Sequence, residues 1–116
     1  MREDGKIDYV EFPATAIGEV KRFYSEAFGW GWVDYGPDYA AFNNAAVDGG
    51  FNGDSADAGR AAKPLVVLYA HDLEAMEARV KAAGGAIVNP IYSFPGGRRF
   101  HFTDPSGNEL AVWSEG

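Results

Sequence analysis

Residues 10–30 read VEFPATAIGEVKRFYSEAFGW, and this stretch decides the fold because residues 65–85, LVVLYAHDLEAMEARVKAAGG, repeat its pattern. In both copies apolar residues recur at i, i+3, i+7 and i+10, the stripe of an amphipathic helix that packs on one side. The matching positions are Ile17, Val20, Tyr24 and Ala27 in the first copy, and Leu73, Met76, Val80 and Ala83 in the second. Two helices of equal spacing indicate an internal structural repeat.

The same signals flank both predicted helices. Glycine follows each of them, at Gly29 and at the pair Gly84-Gly85, where a helix end favours a left-handed residue. Thr15 and Asp72 precede the helices and are the predicted N-caps, because their side-chain oxygens can accept a hydrogen bond from a free backbone N–H. A short apolar strand lies upstream of each helix, at 7–12 and at 65–70.

Strand patterns follow each helix, separated by turn residues. The predicted strands are 30–35, 39–43 and 45–52 in the first half, and 86–94, 98–103 and 109–114 in the second. The order is therefore βαβββ twice, which predicts an α+β fold. We expect one domain over residues 1–116, with a first module at 5–52, a flexible linker at 53–62 and a second module at 63–116.

Composition narrows the class of protein. A length of 116 residues suits one hydrophobic core, and the absence of cysteine excludes a disulfide framework, a thiolate metal site and a thiol nucleophile. The net charge of −7 argues against a nucleic-acid partner or an anionic membrane surface, although acidity also keeps small domains in solution. No apolar run reaches the length of a membrane span and the first ten residues lack a signal-peptide core, so we expect a cytoplasmic protein.

Several motifs resemble one known family. Phe23-Tyr24 and Phe28-Gly29-Trp30 match the first module of the vicinal oxygen chelate superfamily, which includes glyoxalases, bleomycin resistance proteins and extradiol dioxygenases. In the second half, His71-Asp72-Leu73 and the turn at 104–108, Asp-Pro-Ser-Gly-Asn, are similar to that family as well. The resemblance implies two βαβββ modules whose mixed sheet curls around a U-shaped cleft, commonly within a homodimer.

Strand alternation predicts which side chains line such a cleft, since successive residues face opposite sides of a sheet. The helix-facing set should include Val10, Phe12, Val66, Leu68, Phe100, Phe102, Leu110 and Val112. The cleft-facing set should include Tyr9, Glu11, Leu65, Val67, Tyr69, Arg99, His101, Glu109, Ala111 and Trp113. The predicted lining is thus rich in aromatic rings, with a few ionisable groups.

The resemblance also implies where metal-dependent relatives hold their ion. By motif spacing those positions fall on Tyr9, Leu65, Ala111 and a residue near Gly50 or Phe51. Side chains of Leu, Ala, Gly and Phe carry no donor atom, and neutral Tyr is a poor ligand for a hard divalent ion. We therefore expect no cofactor and no metal at the usual site.

Other arrangements of the ionisable residues remain open. His101, Glu11 and Glu109 could meet as a histidine and two carboxylates, a set that suits zinc, iron or manganese. Alternatively, Glu11 pairs with Arg99 and Glu109 is solvated at a strand end. His101 is either a general base or a hydrogen-bonding ring among aromatic residues, whereas His71 is expected only to cap or to be solvated.

Three functions follow from these alternatives. The first is metal-independent binding of a small apolar or aromatic molecule, with ligand contacts from Tyr9, Trp30, Val67, Tyr69, Arg99, Glu109 and Trp113. The second is a metal-free lyase or isomerase in which Glu11 or His101 transfers a proton while Tyr9 and Arg99 steady negative charge. The third is a metal-dependent lyase or dioxygenase with an atypical ligand set.

Overall fold

The computed structural model describes residues 2–53 and 63–116. Along the described chain the elements are β1 (Ile7–Pro13), α1 (Ile17–Phe28), β2 (Gly31–Asp34), β3 (Tyr39–Asn43), β4 (Gly49–Asn52), β5 (Leu65–Tyr69), α2 (Leu73–Ala82), β6 (Ala86–Phe94), β7 (Gly97–Thr103) and β8 (Glu109–Ser114). The order is βαβββ in each half, so the predicted α+β fold is confirmed. The predicted linker at 53–62 lies, apart from Gly53, outside the described residues.

The chain divides into two compact units, which we call the first unit (Tyr9–Pro64) and the second unit (Met1–Asp8 with Leu65–Gly116). In the first unit the strand order is β2-β3-β4-β1, with β1 and β4 parallel and the other pairs antiparallel. In the second unit the order is β6-β7-β8-β5, and again one pair, β5 and β8, is parallel. The two units thus repeat one mixed-sheet topology.

Helix α1 begins one residue later than the sequence suggested. Ala16, not Thr15, takes the extended N-cap conformation, and no side chain there accepts a hydrogen bond from the first turn. The prediction of Thr15 as the cap was wrong because the helix starts too late for that residue. At the other end Gly29 has a φ of 77° and donates its N–H to Ser25 O, as the predicted glycine stop requires.

Helix α2 has the cap that the sequence predicted. Asp72 is extended, and its carboxylate accepts a hydrogen bond of 3.0 Å from the N–H of Ala75. Glu74 in the first turn and Lys81 in the last complement the helix dipole. Gly84 then turns the chain with a φ of 105°.

The strand boundaries differ from the prediction mainly before β4. Asn44 and Ala46 have positive φ angles of 61° and 76°, a left-handed conformation that no strand can contain. The predicted strand at 45–52 is therefore reduced to Gly49–Asn52. The predicted strand at 30–35 is one residue shorter at each end, at Gly31–Asp34. Strands β3, β6 and β8 agree with their predicted bounds.

The cores lie between each helix and its strands. In the second unit Phe100, Val112 and Leu73 are buried, and Leu68 and Phe102 pack against them, which confirms the predicted helix-facing positions of these strand residues. In the first unit the corresponding layer is made of rings: Phe12, Tyr24, Trp30, Trp32, Phe42 and Phe51 contact one another. Within the described residues, neither helix is long and apolar enough to cross a membrane.

The two helix caps give a direct test of this fold. We expect Asp72→Ala to lower the free energy of unfolding by about 0.5–2 kcal/mol, because the N–H of Ala75 loses its acceptor. Thr15→Ala is the matched control and should change that free energy by less than about 0.5 kcal/mol. Urea unfolding followed by circular dichroism measures both, and equal losses would contradict the assignment of the caps.

Candidate functional site

Polar side chains of the first unit converge on one buried carboxylate. Glu11 is only 2% exposed, and its two oxygens accept hydrogen bonds from the hydroxyl of Tyr39 at 3.1 Å and from the amide of Asn52 at 3.3 Å. The hydroxyl of Tyr9 lies 2.7 Å from that of Tyr39. A buried acid needs such donors, because without them the loss of hydration would be costly.

A glycine makes room for this convergence. Gly50 lies directly opposite Glu11 in the parallel pairing of β1 and β4. A Cβ on Gly50 would come within 2.7 Å of the Tyr39 hydroxyl and 2.8 Å of the Tyr9 hydroxyl. The two phenols therefore occupy the space that any other residue at position 50 would fill.

Burial and charge together keep Tyr39 neutral. Loss of hydration raises the pKa of Tyr39 far above its usual value of 10.0, and the negative charge of Glu11 beside the hydroxyl raises it further. Tyr39 is therefore a hydrogen-bond donor to Glu11 throughout the physiological range.

The second unit carries a different cluster on one face of its four strands. Strand register places Tyr69, Trp113, Arg99 and Tyr92 in one line across β5, β8, β7 and β6. We call these four residues the ring–arginine row. The guanidinium of Arg99 lies 5.7 Å from the ring centres of both Tyr92 and Phe94, and the ring of Trp113 contacts that of Tyr69 edge-on.

A chain of hydrogen bonds runs from this row into the protein. Arg99 Nε donates to the hydroxyl of Tyr92 at 2.5 Å, and that hydroxyl lies 2.9 Å from Nε2 of His101. On the other side of the ring, Nδ1 of His101 lies 2.8 Å from the carboxylate of Glu109. His101 is 1% exposed, whereas the side chain of Glu109 is 33% exposed. We call Tyr92, His101 and Glu109 the Tyr–His–Glu chain.

Irregularities in β6 place Tyr92 in this chain. The pairing of β6 with β7 shifts between Ile87 and Asn89 and again between Asn89 and Tyr92. Without the second shift Ile91 would stand opposite Arg99, but the extra residue turns Ile91 into the core and brings Tyr92 opposite Arg99. The bulge thus selects which side chain joins the polar face.

The structure brings most of the predicted site residues together in two groups. Tyr9 and Glu11 meet in the first unit; Tyr69, Arg99, His101, Glu109 and Trp113 lie on one face of the second unit. Glu109 binds His101 and is not merely solvated. Val67 and Ala111 share that face, where Val67 and His101 flank Ala111 as its register partners, but Val67, Tyr69 and Ala111 are buried.

Trp30 is corrected as well. Its ring stacks on Tyr24 at 4.6 Å and contacts Phe42 at 4.7 Å, so it belongs to the helix-facing layer and not with the candidate ligand contacts. Sequence reasoning also missed Tyr39, Asn52 and Tyr92. For Tyr92 a signal was present, because plain alternation from Ile87, which packs against the core, places Tyr92 on the opposite face of β6.

Two further sequence features have a structural role. His71 is exposed, and its Nδ1 lies 2.7 Å from Asp4, whose carboxylate also accepts the backbone N–H of His71. The carboxylate of Asp104 accepts hydrogen bonds from the side-chain amide of Asn108 and from the backbone N–H groups of Asn108 and Ser106, which lower the pKa of Asp104. These contacts hold the turn before β8 together.

The residues at the positions implied for a metal do not fit one. Leu65 and Ala111 are buried and have no donor atom, and Gly50 has no side chain. Among residues 2–53 and 63–116 there is no group of three or more His, Cys, Asp and Glu side chains that could hold an ion. Of the atypical set, His101 and Glu109, both in the second unit, are in contact.

Comparison with known proteins places this geometry in a family. The model of the Glyoxalase/Bleomycin resistance protein/Dioxygenase superfamily matches residues 6–112. No curated protein matches the chain. Solved structures of similar fold include one described as an NAD-dependent benzaldehyde dehydrogenase from Legionella pneumophila, with a TM-score of 0.77 and 14% identity over 93% of this chain and 98% of that one.

Two other structures are similar in fold. The methylmalonyl-CoA epimerase from Mycobacterium tuberculosis has a TM-score of 0.74 and 13% identity over 100% of this chain and 91% of that one. The Mn(II)-bound glyoxalase from Novosphingobium aromaticivorans has a TM-score of 0.67 and 21% identity over 99% of this chain, which spans only 40% of the glyoxalase. At such low identities the likeness shows the fold alone.

The raised pKa of Tyr39 predicts how stability depends on alkaline pH. Above pH 10 the unfolded chain loses the Tyr39 proton while the folded chain keeps it, so rising pH favours unfolding. We expect the free energy of unfolding of the wild type to fall by about 1.4 kcal/mol per pH unit more steeply than that of Tyr39→Phe. Urea unfolding at several pH values above 10 measures the two slopes; parallel slopes would contradict a buried neutral Tyr39.

Proposed function

The chain belongs to the Glyoxalase/Bleomycin resistance protein/Dioxygenase superfamily, and from that premise we propose that it binds a small apolar or aromatic molecule on the ring–arginine row. The observation that carries this proposal is the line of rings and a guanidinium along one face of the second unit. Planar ligands gain from such surfaces because rings stack and a cation attracts the face of an aromatic system.

The degree of burial supports a binding role. Three members of the row, Tyr92, Arg99 and Trp113, are half-buried, as is the neighbouring Phe94, so each keeps part of its surface in contact with solvent, whereas Tyr69 at the end of the row is buried. Side chains that only filled a core would be buried like Phe100, which has no exposed surface. A second guanidinium, that of Arg2, lies 5.0 Å from the ring centre of Trp113 and 3.3 Å from the carboxylate of Asp8, which accepts the indole N–H of Trp113.

The ligand needs no metal in this proposal. The residues of the ring–arginine row supply contacts by stacking and by hydrogen bonding, and the buried Leu65 and Ala111 offer no donor to an ion. The proteins of similar fold that are described as a glyoxalase and as a methylmalonyl-CoA epimerase are named as enzymes that act on small molecules. This is consistent with binding of a small molecule.

Binding is tested first with a panel of substituted benzoates, naphthoates and matched aliphatic acids. We expect aromatic compounds to raise the melting temperature and to quench the intrinsic tryptophan fluorescence, with no change after treatment with a chelator. Failure of every aromatic compound to bind would contradict the proposed function. A loss of binding after chelation would instead contradict its metal independence.

A pair of neighbouring arginines provides the matched control. Arg99→Gln should weaken binding of the best aromatic compound roughly tenfold, since the guanidinium over the rings is lost. Arg98→Gln should leave the dissociation constant unchanged, because Arg98 bonds to Glu74 and to the carbonyl of Gly116 instead. Isothermal titration calorimetry measures both, and equal effects of the two substitutions would contradict the placement of the ligand on the row.

A second candidate function is metal-free proton transfer, as in a lyase or isomerase. The specific observation in its favour is the buried ring of His101, which has a partner at both nitrogens, one of them a carboxylate. A histidine held in this way can accept and return a proton. Glu11 is the other candidate, but its bonds to Tyr39 and Asn52 hold it inside the first unit.

Proton transfer is tested by exchange in heavy water. Benzoates and naphthoates have no C–H next to their carbonyl, so the aryl methyl ketones with the same rings are used, and we expect ¹H NMR in D2O to show loss of the C–H signal next to the carbonyl. His101→Gln should slow this exchange by at least about 100-fold, the usual contribution of a general acid–base group. Exchange at the wild-type rate in both His101→Gln and Glu11→Gln would exclude this function.

A further inference from the structure

We propose that Tyr92 is the side chain that exchanges a proton with the bound molecule, and that His101 and Glu109 relay that proton between Tyr92 and solvent. This proposal rests on the proton-transfer function described above and names the group that performs it. Tyr92 is also part of the ring–arginine row, so the group that would move the proton is among those that contact the ligand.

The proposed relay requires one direction of the hydrogen bonds. Arg99 Nε can only donate, so the Tyr92 oxygen accepts there, and in the relay its own proton points to His101 Nε2, which lies 2.9 Å away. Nε2 then carries no proton, and the proton of the ring lies on Nδ1, which donates to the Glu109 carboxylate at 2.8 Å. Every donor thus points the same way, from Arg99 toward Glu109.

The exposed fractions of the three side chains in the Tyr–His–Glu chain suit a relay. Tyr92 is half-buried and Glu109 is 33% exposed at its side chain, whereas His101 between them is 1% exposed. Solvent and ligand therefore reach the two ends but not the middle. A proton can cross such a segment by moving along hydrogen bonds, since each group releases one proton as it gains another.

The transfer balances without any further reactant. The Tyr92 proton moves to Nε2 of His101, and the Nδ1 proton moves to the carboxylate of Glu109, which becomes a neutral acid. The Tyr92 phenolate, stabilised by the N–H of Arg99, takes a proton from a C–H bond of the ligand, whose electron pair stays on the ligand. Reversal of the steps returns the proton, and Glu109 exchanges its own with water.

The bulge in β6 supports a functional reading of Tyr92. A regular continuation from the pairing of Asn89 with His101 would have placed the apolar Ile91 opposite Arg99, and the second register shift replaces it with the hydroxyl-bearing Tyr92. Bulges interrupt the hydrogen-bond ladder and are common where a strand re-aims a side chain next to an active site. The register shift between Asn89 and Tyr92 thus brings Tyr92 into the Tyr–His–Glu chain.

Chemical labelling tests the relay without a known substrate. Benzenesulfonyl fluoride reacts with a phenol when a base takes the phenolic proton: the O–S bond forms, the S–F bond breaks, and fluoride leaves. We expect Tyr92 to be labelled at least about tenfold faster than Tyr35, which is 66% exposed, because His101 Nε2 accepts the proton. Mass spectrometry of peptides from the native protein at pH 7.5 measures both rates in one sample.

Variants separate the relay from simple exposure. His101→Gln should reduce labelling of Tyr92 roughly tenfold while labelling of Tyr35 stays constant. His71→Gln is the matched control, because that histidine is exposed and bonds to Asp4, and it should change neither rate. If His101→Gln does not fold, Glu109→Gln is used instead, because it removes the charge at the partly exposed end of the Tyr–His–Glu chain. It should slow labelling of Tyr92 several-fold while the rate of labelling at Tyr35 stays constant.

The tautomer of His101 gives an independent reading. ¹⁵N NMR should show a neutral ring with its proton on Nδ1, and Tyr92→Phe should shift the signal of Nε2 more than that of Nδ1. A proton on Nε2, or equal labelling of Tyr92 and Tyr35, would overturn the proposal. Because neither measurement uses a ligand, a working relay in a protein that binds nothing on the panel would refute only the proposed function. Proton exchange on a ligand that proceeds at the wild-type rate in Tyr92→Phe would refute only the relay.

Discussion

A buried imidazole needs hydrogen bonds at both ring nitrogens, and His101 satisfies this need with one residue from each neighbouring strand. Tyr92 of β6 bonds to Nε2 and Glu109 of β8 bonds to Nδ1. A slip of either strand by one residue would turn its partner to the opposite face of the sheet and leave a buried nitrogen unsatisfied. The register of three strands, and with it the alignment of the ring–arginine row, is therefore tied to this one ring.

The first unit solves the same physical problem with different residues. Its buried group is the carboxylate of Glu11, and the donors are the Tyr39 hydroxyl and the Asn52 amide. A glycine at position 50 is what allows two phenols to reach that acid. The repeated topology thus carries two unlike polar centres, one acceptor surrounded by donors and one chain of donors and acceptors.

The sequence alone predicted the fold well because the repeat depends on local signals: the apolar stripes of α1 and α2, the glycine stops and the Asp72 cap. It predicted the faces of β7 and β8 correctly because those strands are regular. It assigned no faces to the residues of β6, and so Tyr92 was missed, although alternation from Ile87 places Tyr92 on the face opposite the core. Tyr39 could not be recognised either, since its approach to Glu11 depends on the absence of a side chain at Gly50, a three-dimensional fact without a pattern of its own.

The irregularity of β6 also affects how this protein meets other copies of itself. In the second unit β6 is the outermost strand, and a long regular strand at such an edge offers its unpaired N–H and C=O groups to any other extended chain. Pro90 has no N–H to offer, and the two register shifts break the even spacing that a foreign strand would need. The distortion that aims Tyr92 at His101 therefore also protects the sheet edge against edge-to-edge aggregation.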